Sequence, residues 1–128
     1  KVNVRGGPGS DYRLRWIFQK SGIPVEIVQE FDNWRRIRDS QGEDGWVWHS
    51  LLSSRRTALV RPWGVQDEPV DLHAQPDARS RVVALLEPNV LADVRSCDGA
   101  WCLVGGAGWE GFVRQDTLWG VYPGEVFN

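Results

Sequence analysis

The sequence holds no methionine, and only two cysteines and two histidines, in 128 residues. It also lacks any apolar run of the roughly 18 or more residues that a membrane-spanning helix needs, so no membrane span is expected. Each shortage excludes something. His49 and His73 sit at unrelated points of the chain with no third ligand recurring beside them, which is not the nitrogen- and sulfur-rich cluster of a zinc site. No metal and no cofactor is expected. A cysteine hydrolase needs a thiol beside an imidazole, with a third group to orient the base. Cys97 or Cys102 with His73 shows no such spacing, so no catalytic residue is assigned and the chain reads as a non-enzyme. Asp39, Glu43 and Asp44 fall in a hydrophilic turn and read as solvated carboxylates. Gly105 to Gly108 lies between strands with no helix after it, so it is not a phosphate-binding loop. The missing methionine argues for a processed or trimmed chain starting at Lys1, as removal of a signal peptide would leave.

What is present points to an ordinary globular protein, with 41% hydrophobic and 25% charged residues. Eight tryptophans supply large apolar areas of the kind small folds need. Fourteen glycines and seven prolines are scattered at turns, which favours an all-β chain. The net charge of −2 conceals an asymmetry: residues 1–60 carry ten Lys/Arg and seven Asp/Glu (+3), and residues 61–128 carry five and ten (−5). The basic half suits an anionic partner. No long basic run exists and the second half would repel phosphate, so nucleic acid is not expected.

The stretch Asn33 to Leu52 sets the pattern. Trp34-Arg35-Arg36-Ile37-Arg38 and Gly45-Trp46-Val47-Trp48 read as antiparallel strands joined by the polar turn Asp39 to Gly45. His49-Ser50-Leu51-Leu52 is short enough to be a single 3₁₀ turn. Val2 to Arg5, residues 11–20 (Leu14, Trp16, Phe18 at period two), Val25 to Val28 and Arg56 to Val60 are further strands, or in the second case an irregular arm. The order then begins again. Val70-Asp71-Leu72-His73 matches Val2-Asn3-Val4-Arg5, Trp101 matches Trp34, Gly111-Phe112-Val113 matches Gly45-Trp46-Val47, and Thr117-Leu118 matches Leu51-Leu52. Landmarks in one order, 66 to 68 residues apart, indicate a duplication.

These landmarks resemble the bacterial Src-homology-3-like (SH3b) domain: an opening Val2-Asn3-Val4-Arg5-Gly6-Gly7-Pro8-Gly9, the approach Gly22-Ile23-Pro24-Val25, the strand Trp34 to Ile37, and Gly45-Trp46-Val47 ending in leucine. The second copy departs at Asp71, His73, Ala74, Gln75 and Phe112. The resemblance implies two tandem small SH3-like barrels, each of five to six short antiparallel strands with a 3₁₀ turn. The first would span residues 1–55, its leading strand missing or replaced, and the second residues 56–119, with residues 120–128 a tail packing back. It implies a non-catalytic binding or targeting module, periplasmic or secreted after removal of an N-terminal signal, with a cell-envelope or peptidoglycan-related ligand. The alternative is a scaffolding or regulatory protein that takes a protein or peptide in an aromatic groove or at a barrel edge. Candidate ligand-binding residues are Trp16, Phe18 and Trp48, with Arg13, Arg15, Arg35 and also Arg36 at the rim; Trp34 and Trp46 are core or groove residues.

Two further expectations rest on the residues alone. Cys97 and Cys102 flank the four-residue loop Asp98 to Trp101, so they face each other at its base and form a disulfide. A two-residue hairpin at Asp98-Gly99 would instead set Cys97 against Ala100. The second expectation concerns the chain as a whole. The Pro62 to Pro69 linker is neither long nor Gly/Ser-rich, and the tail from Trp119 is too aromatic to hang free. One rigid body is therefore expected, with Trp119, Tyr122 and Phe127 buried against Trp63 or the first barrel.

Overall fold

A computed structural model describes residues 1–64 and 68–128. Residues 65–67, the middle of the expected linker, lie outside the described residues. The chain divides into two compact units, Lys1–Arg55 and Arg56–Asn128. Among the described residues the regular structure is all β-strand apart from two three-residue 3₁₀ turns. No helix is long and apolar enough to cross a membrane.

Unit 1 is a five-stranded antiparallel sheet. Its strands are β1 (Val2–Arg5), β2 (Leu14–Phe18), β3 (Glu26–Phe31), β4 (Trp34–Arg38) and β5 (Asp44–Trp48), and a 3₁₀ turn (His49–Leu51) follows. The order across the sheet is β2-β1-β5-β4-β3. The local sequence explains these pieces. Along β4, Ile37 turns inward with no exposure while its neighbour Arg38 stays in solvent, the period of two that a half-buried strand requires. Asp32 accepts a left-handed φ of 50°, which lets Phe31 and Trp34 face each other across a two-residue turn. The Asp39 carboxylate accepts from the N–H groups of Gln41 and Glu43 and shapes the turn into β5. The fully buried centre is small: Val4, Ile37 and Val47, with Val2, Trp16, Phe18, Val25 and Leu52 packed around it.

Unit 2 repeats this plan and adds to it. It contains β6 (Thr57–Val60), β7 (Val70–His73), β8 (Val82–Leu86), β9 (Leu91–Asp98), β10 (Trp101–Gly106), β11 (Trp109–Arg114), a 3₁₀ turn (Gln115–Thr117), β12 (Leu118–Trp119) and β13 (Val126–Phe127). Strands β7 to β11 pair as β1 to β5 do. The additions are β6, which lies between β9 and β12, and β13, which pairs with the far end of β9. The core is correspondingly larger and draws Ala58 and Val60 from β6 and Leu118 from β12.

Cys97 and Cys102 are opposite each other on β9 and β10 and are joined by a disulfide. The turn falls on Gly99 and Ala100, between Asp98 and Trp101, and not on Asp98-Gly99, so Cys97 faces Cys102 and not Ala100. The Asp98 carboxylate fixes it by accepting from the N–H groups of Ala100 and Trp101 at 2.8 and 2.7 Å. The tail is held on unit 2 through its main chain and one carboxylate. Gln115 Nε2 donates to the carbonyls of Tyr122 and Glu125, and Arg56 grips both oxygens of Glu125 at 2.9 and 3.0 Å. The Arg56 guanidinium also lies 4.3 Å over the Phe127 ring.

One expectation fails. Trp63 and Tyr122 are each 58% exposed, so the burial foreseen for these rings does not occur. The physical reason is that the tail attaches by the carbonyls of Tyr122 and Glu125, by the Glu125 carboxylate, and by Val121 and Phe127 against the unit 2 core. The rigid-body reading loses the buried rings from which it was argued.

Candidate functional site

In unit 1, Trp34 opens β4 and Trp48 closes β5, and the register pairs them directly. Paired residues of an antiparallel ladder put their side chains on one face. Their rings meet edge to face, with centroids 5.5 Å apart and planes at 76°. The Trp48 ring is also 5.1 Å from the imidazole of His49 and keeps 38% of its surface open.

The loop between β1 and β2 closes beside this pair. Gly6 N–H donates to the Arg13 carbonyl at 2.8 Å, and Arg5 Nη1 donates to the Tyr12 carbonyl at 3.1 Å. The Tyr12 ring lies where a side chain on Gly7 would have to be, since a Cβ there would meet Tyr12 Cδ1 at 2.3 Å. That close approach is the reason for glycine in the opening motif. Between loop and aromatic pair lies an open cleft of about 580 Å³. Its apolar side is Trp34, Trp48 and Leu51; its polar side is Asn3, Arg5, Ser10 and Asp11, with Gly9 between. Such a lining offers aromatic faces to a sugar ring or an aliphatic side chain, and amide, hydroxyl, guanidinium and carboxylate groups to the polar atoms of the same ligand.

Of the residues proposed from sequence, the structure places Trp48 in this lining. Trp16 and Phe18 pack against each other at 5.7 Å and against the unit 1 core. Arg15 pairs with Asp44, as does Arg36. These two guanidiniums, Arg36 first, hold the Asp44 carboxyl below its ordinary pKa. Arg35 donates to the carbonyls of Asp32 and Trp34, each at 3.0 Å, and pairs with Glu30. Arg13 contributes its carbonyl to the loop closure just described. Asn3, Arg5, Ser10, Asp11 and Leu51 were not singled out from sequence as site residues. The signal available for them was the opening motif, which brings Asn3, Arg5 and Gly9 together in one short segment.

Among the described residues, unit 2 has no such aromatic pair at the matching position. Trp101 occupies the place of Trp34, and the partner facing it is Arg114 rather than tryptophan. Arg114 sits 5.7 Å over the Trp101 ring, and His73, in the place of Arg5, meets that ring edge-on at 5.3 Å. Trp101 is buried to 9% exposure. Among the described residues, no group of three or more His, Cys, Asp and Glu side chains is placed to hold a metal ion.

The fold is a duplicated small antiparallel β-sheet domain. The model of the bacterial SH3 domain matches residues 1–54 and 66–120. The chain therefore belongs to the bacterial SH3 domain family and carries two copies of it. Among solved structures, one titled "Structure of NlpC2 from Trichomonas vaginalis" is 13% identical over 93% of this chain and 44% of that one, with a TM-score of 0.43. The chain thus spans less than half of that protein, and a likeness of this size carries no argument. No curated protein matches.

Proposed function

We propose that this chain is a non-catalytic, extracytoplasmic binding module whose first unit holds a cell-envelope ligand, a peptidoglycan-type glycopeptide, against Trp34 and Trp48. The observation that carries the reading is the open Trp34–Trp48 pair ringed by Asn3, Arg5, Ser10 and Asp11. Aromatic faces take the apolar side of a sugar or of an alanine methyl, and the polar rim selects among amides and hydroxyls. Membership of the bacterial SH3 domain family supports binding as the activity. The disulfide supports a periplasmic or secreted site, because such bonds persist in oxidising compartments. It also supports a non-enzymatic role, since neither cysteine is then available as a thiolate nucleophile.

The experiment is co-sedimentation with purified, insoluble peptidoglycan. The wild-type chain is expected to pellet with it, and Trp48→Ala to weaken binding at least about tenfold, the loss typical of a truncated aromatic anchor. Trp63→Ala, an exposed tryptophan outside the cleft, serves as the control and leaves binding unchanged. Failure of the wild type to pellet, or equal loss in both variants, counts against the reading. Soluble fragments released at catalytic levels would end the non-enzymatic part of it.

A further inference from the structure

We propose that the cleft of unit 1 selects a free amino-acid group, an ammonium and a carboxylate on one carbon, at the end of an aliphatic chain of an envelope peptide, with Asp11 facing the ammonium and Arg5 the carboxylate. This selectivity rests on the reading of the cleft as the site of an envelope glycopeptide, and names the group on that ligand which is recognised.

Two opposite charges line the cleft, and neither is neutralised. Four other guanidiniums of unit 1 are paired: Arg15 and Arg36 with Asp44, Arg35 with Glu30, and Arg38 with Glu26. Arg5 instead donates to a main-chain carbonyl, that of Tyr12 at 3.1 Å, and no carboxylate among the described residues pairs with it. Asp11 lines the same cleft and forms no ion pair among the described residues. The two charges stand close without meeting, because the carbonyl that Arg5 holds belongs to the residue next to Asp11.

The second copy shows that neither charge is needed to build the loop. The loop of unit 2 closes by the same main-chain bonds. Ala74 N–H donates to the Arg81 carbonyl as Gly6 does to Arg13, and Ser80 N–H to the Asp77 carbonyl as Tyr12 does to Gly9. In that frame His73 stands for Arg5 and Arg79 for Asp11. His73 pins its loop as Arg5 does, with Nδ1 lying 3.1 Å from the Ser80 carbonyl. The same loop therefore forms with an imidazole at the first position and a cation at the second. What Arg5 and Asp11 add in unit 1 is charge at the cleft. Gly9 fits this reading. A Cβ there would meet Asp11 Oδ1 at 2.8 Å, so the bare backbone leaves room for the carboxylate to lie over the loop. Unit 2 carries Asp77, a residue with a Cβ, at the same place.

The chemistry specifies the occupant. Unpaired charges of both signs in one short loop suit a group that carries both. A neutral sugar would leave both without a counter-charge, and a simple ammonium or carboxylate would leave one. Trp34, Trp48 and Leu51 form the apolar side of the cleft and take the aliphatic stem that bears the group. Their rings also exclude water from one side of each ion pair, which strengthens it over the same pair in free solvent.

The test uses the full chain, isotope-labelled for NMR, with the synthetic tripeptide N-acetyl-L-Ala-γ-D-Glu-diaminopimelate as probe. Its side chain ends in an ammonium and a carboxylate on one carbon. One comparator carries lysine in the last place and lacks that carboxylate; the other has the side-chain amine acetylated and lacks the ammonium. The probe is expected to shift the indole N–H signals of Trp34 and Trp48 and to bind at least about fivefold more tightly than either comparator, the scale of one half-exposed ion pair. Asp11→Asn is expected to remove the preference over the acetylated peptide. Arg5→His is expected to remove the preference over the lysine peptide, while the loop stays pinned as His73 pins it in unit 2. Arg5→Gln is the second variant, should Arg5→His fail to fold. Equal affinity of the wild type for the three peptides, or preferences that survive both charge variants, overturns the selectivity. If that chain still pellets with peptidoglycan, the binding module stands and only its specificity is wrong; a chain that neither pellets nor takes the probe loses both.

Discussion

Gly45 and Gly111 each sit where a neighbouring strand comes too close for a side chain. A Cβ on Gly45 would lie 2.4 Å from Val4 Cγ1 and 3.0 Å from the Arg5 carbonyl, and one on Gly111 would lie 2.7 Å from Leu72 Cγ and 2.8 Å from the His73 carbonyl. Val4 and Leu72 are fully buried and have nowhere to move. Gly45→Ala and Gly111→Ala are therefore each expected to cost about 1–3 kcal/mol, the usual range for overpacking a core. Urea denaturation checks this, and a loss under about 0.5 kcal/mol, the ordinary scatter of surface changes, would contradict it. Glu125 gives a second prediction. Its hydrogen bond to Arg56 holds its carboxyl below the ordinary value of 4.5. A lowered folded-state pKa stabilises above the unfolded value, and that stability is lost as pH falls through the folded one. Unit 2 is expected to weaken as pH drops below about 4.5, and Glu125→Gln to flatten that part of its stability profile. An acid limb unchanged in the variant would show the pair to be idle. The sequence displayed the glycines as part of a motif, but not the reason for them. That reason needs β1 laid across β5, which no local pattern encodes. The Arg56–Glu125 pair, 69 residues apart in the chain, carried no sequence signal at all.

Elements were most legible where partners are close in sequence. The β4–β5 pair, the 3₁₀ turns and the Cys97–Cys102 bridge all follow from spacing and alternation within a few residues. Strand β13 was not legible: two residues in a stretch rich in glycine and proline show no period, and its pairing with β9 is a tertiary fact. For the tail, the sequence reading credited the aromatic rings, whereas main-chain carbonyls accept the hydrogen bonds from Gln115. Trp48, which lines the cleft, was singled out because aromatic residues announce themselves, whereas Ser10 and Asp11 reach the cleft only through the path of the loop. The hairpin gives a prediction at this scale. Closing so short a loop is worth about 2 kcal/mol in the chain-entropy account. Cys97→Ser with Cys102→Ser is expected to lower the stability of unit 2 by that amount. The loop itself is expected to persist, because the Asp98 carboxylate still caps Ala100 and Trp101. Collapse of the unit 2 amide spectrum in the double variant would show that the bridge does more than close a loop.

For the whole molecule, the duplication and the unequal starts of its copies were read from the sequence, but the difference in burial between them was not. Val25 and Ile27 look as apolar on paper as Ala92 and Val94; only the presence of β6 separates their burial. Among the described residues, three side chains form the buried core cluster of unit 1, against twelve in unit 2. Each aliphatic side chain removed from water contributes about 1.5–3 kcal/mol. Domains of about 60 residues sit close to the limit of independent stability, so a difference of this size decides which half opens first. The chain is expected to unfold in two steps, unit 1 before unit 2, and a single free energy of unfolding does not describe it. Hydrogen exchange followed by mass spectrometry reads the two halves separately: amides of β4 and β5 are expected to exchange well before those of β10 and β11. Earlier exchange in β10 and β11, or one coincident transition reported alike by both units, would show that core size does not order their stability.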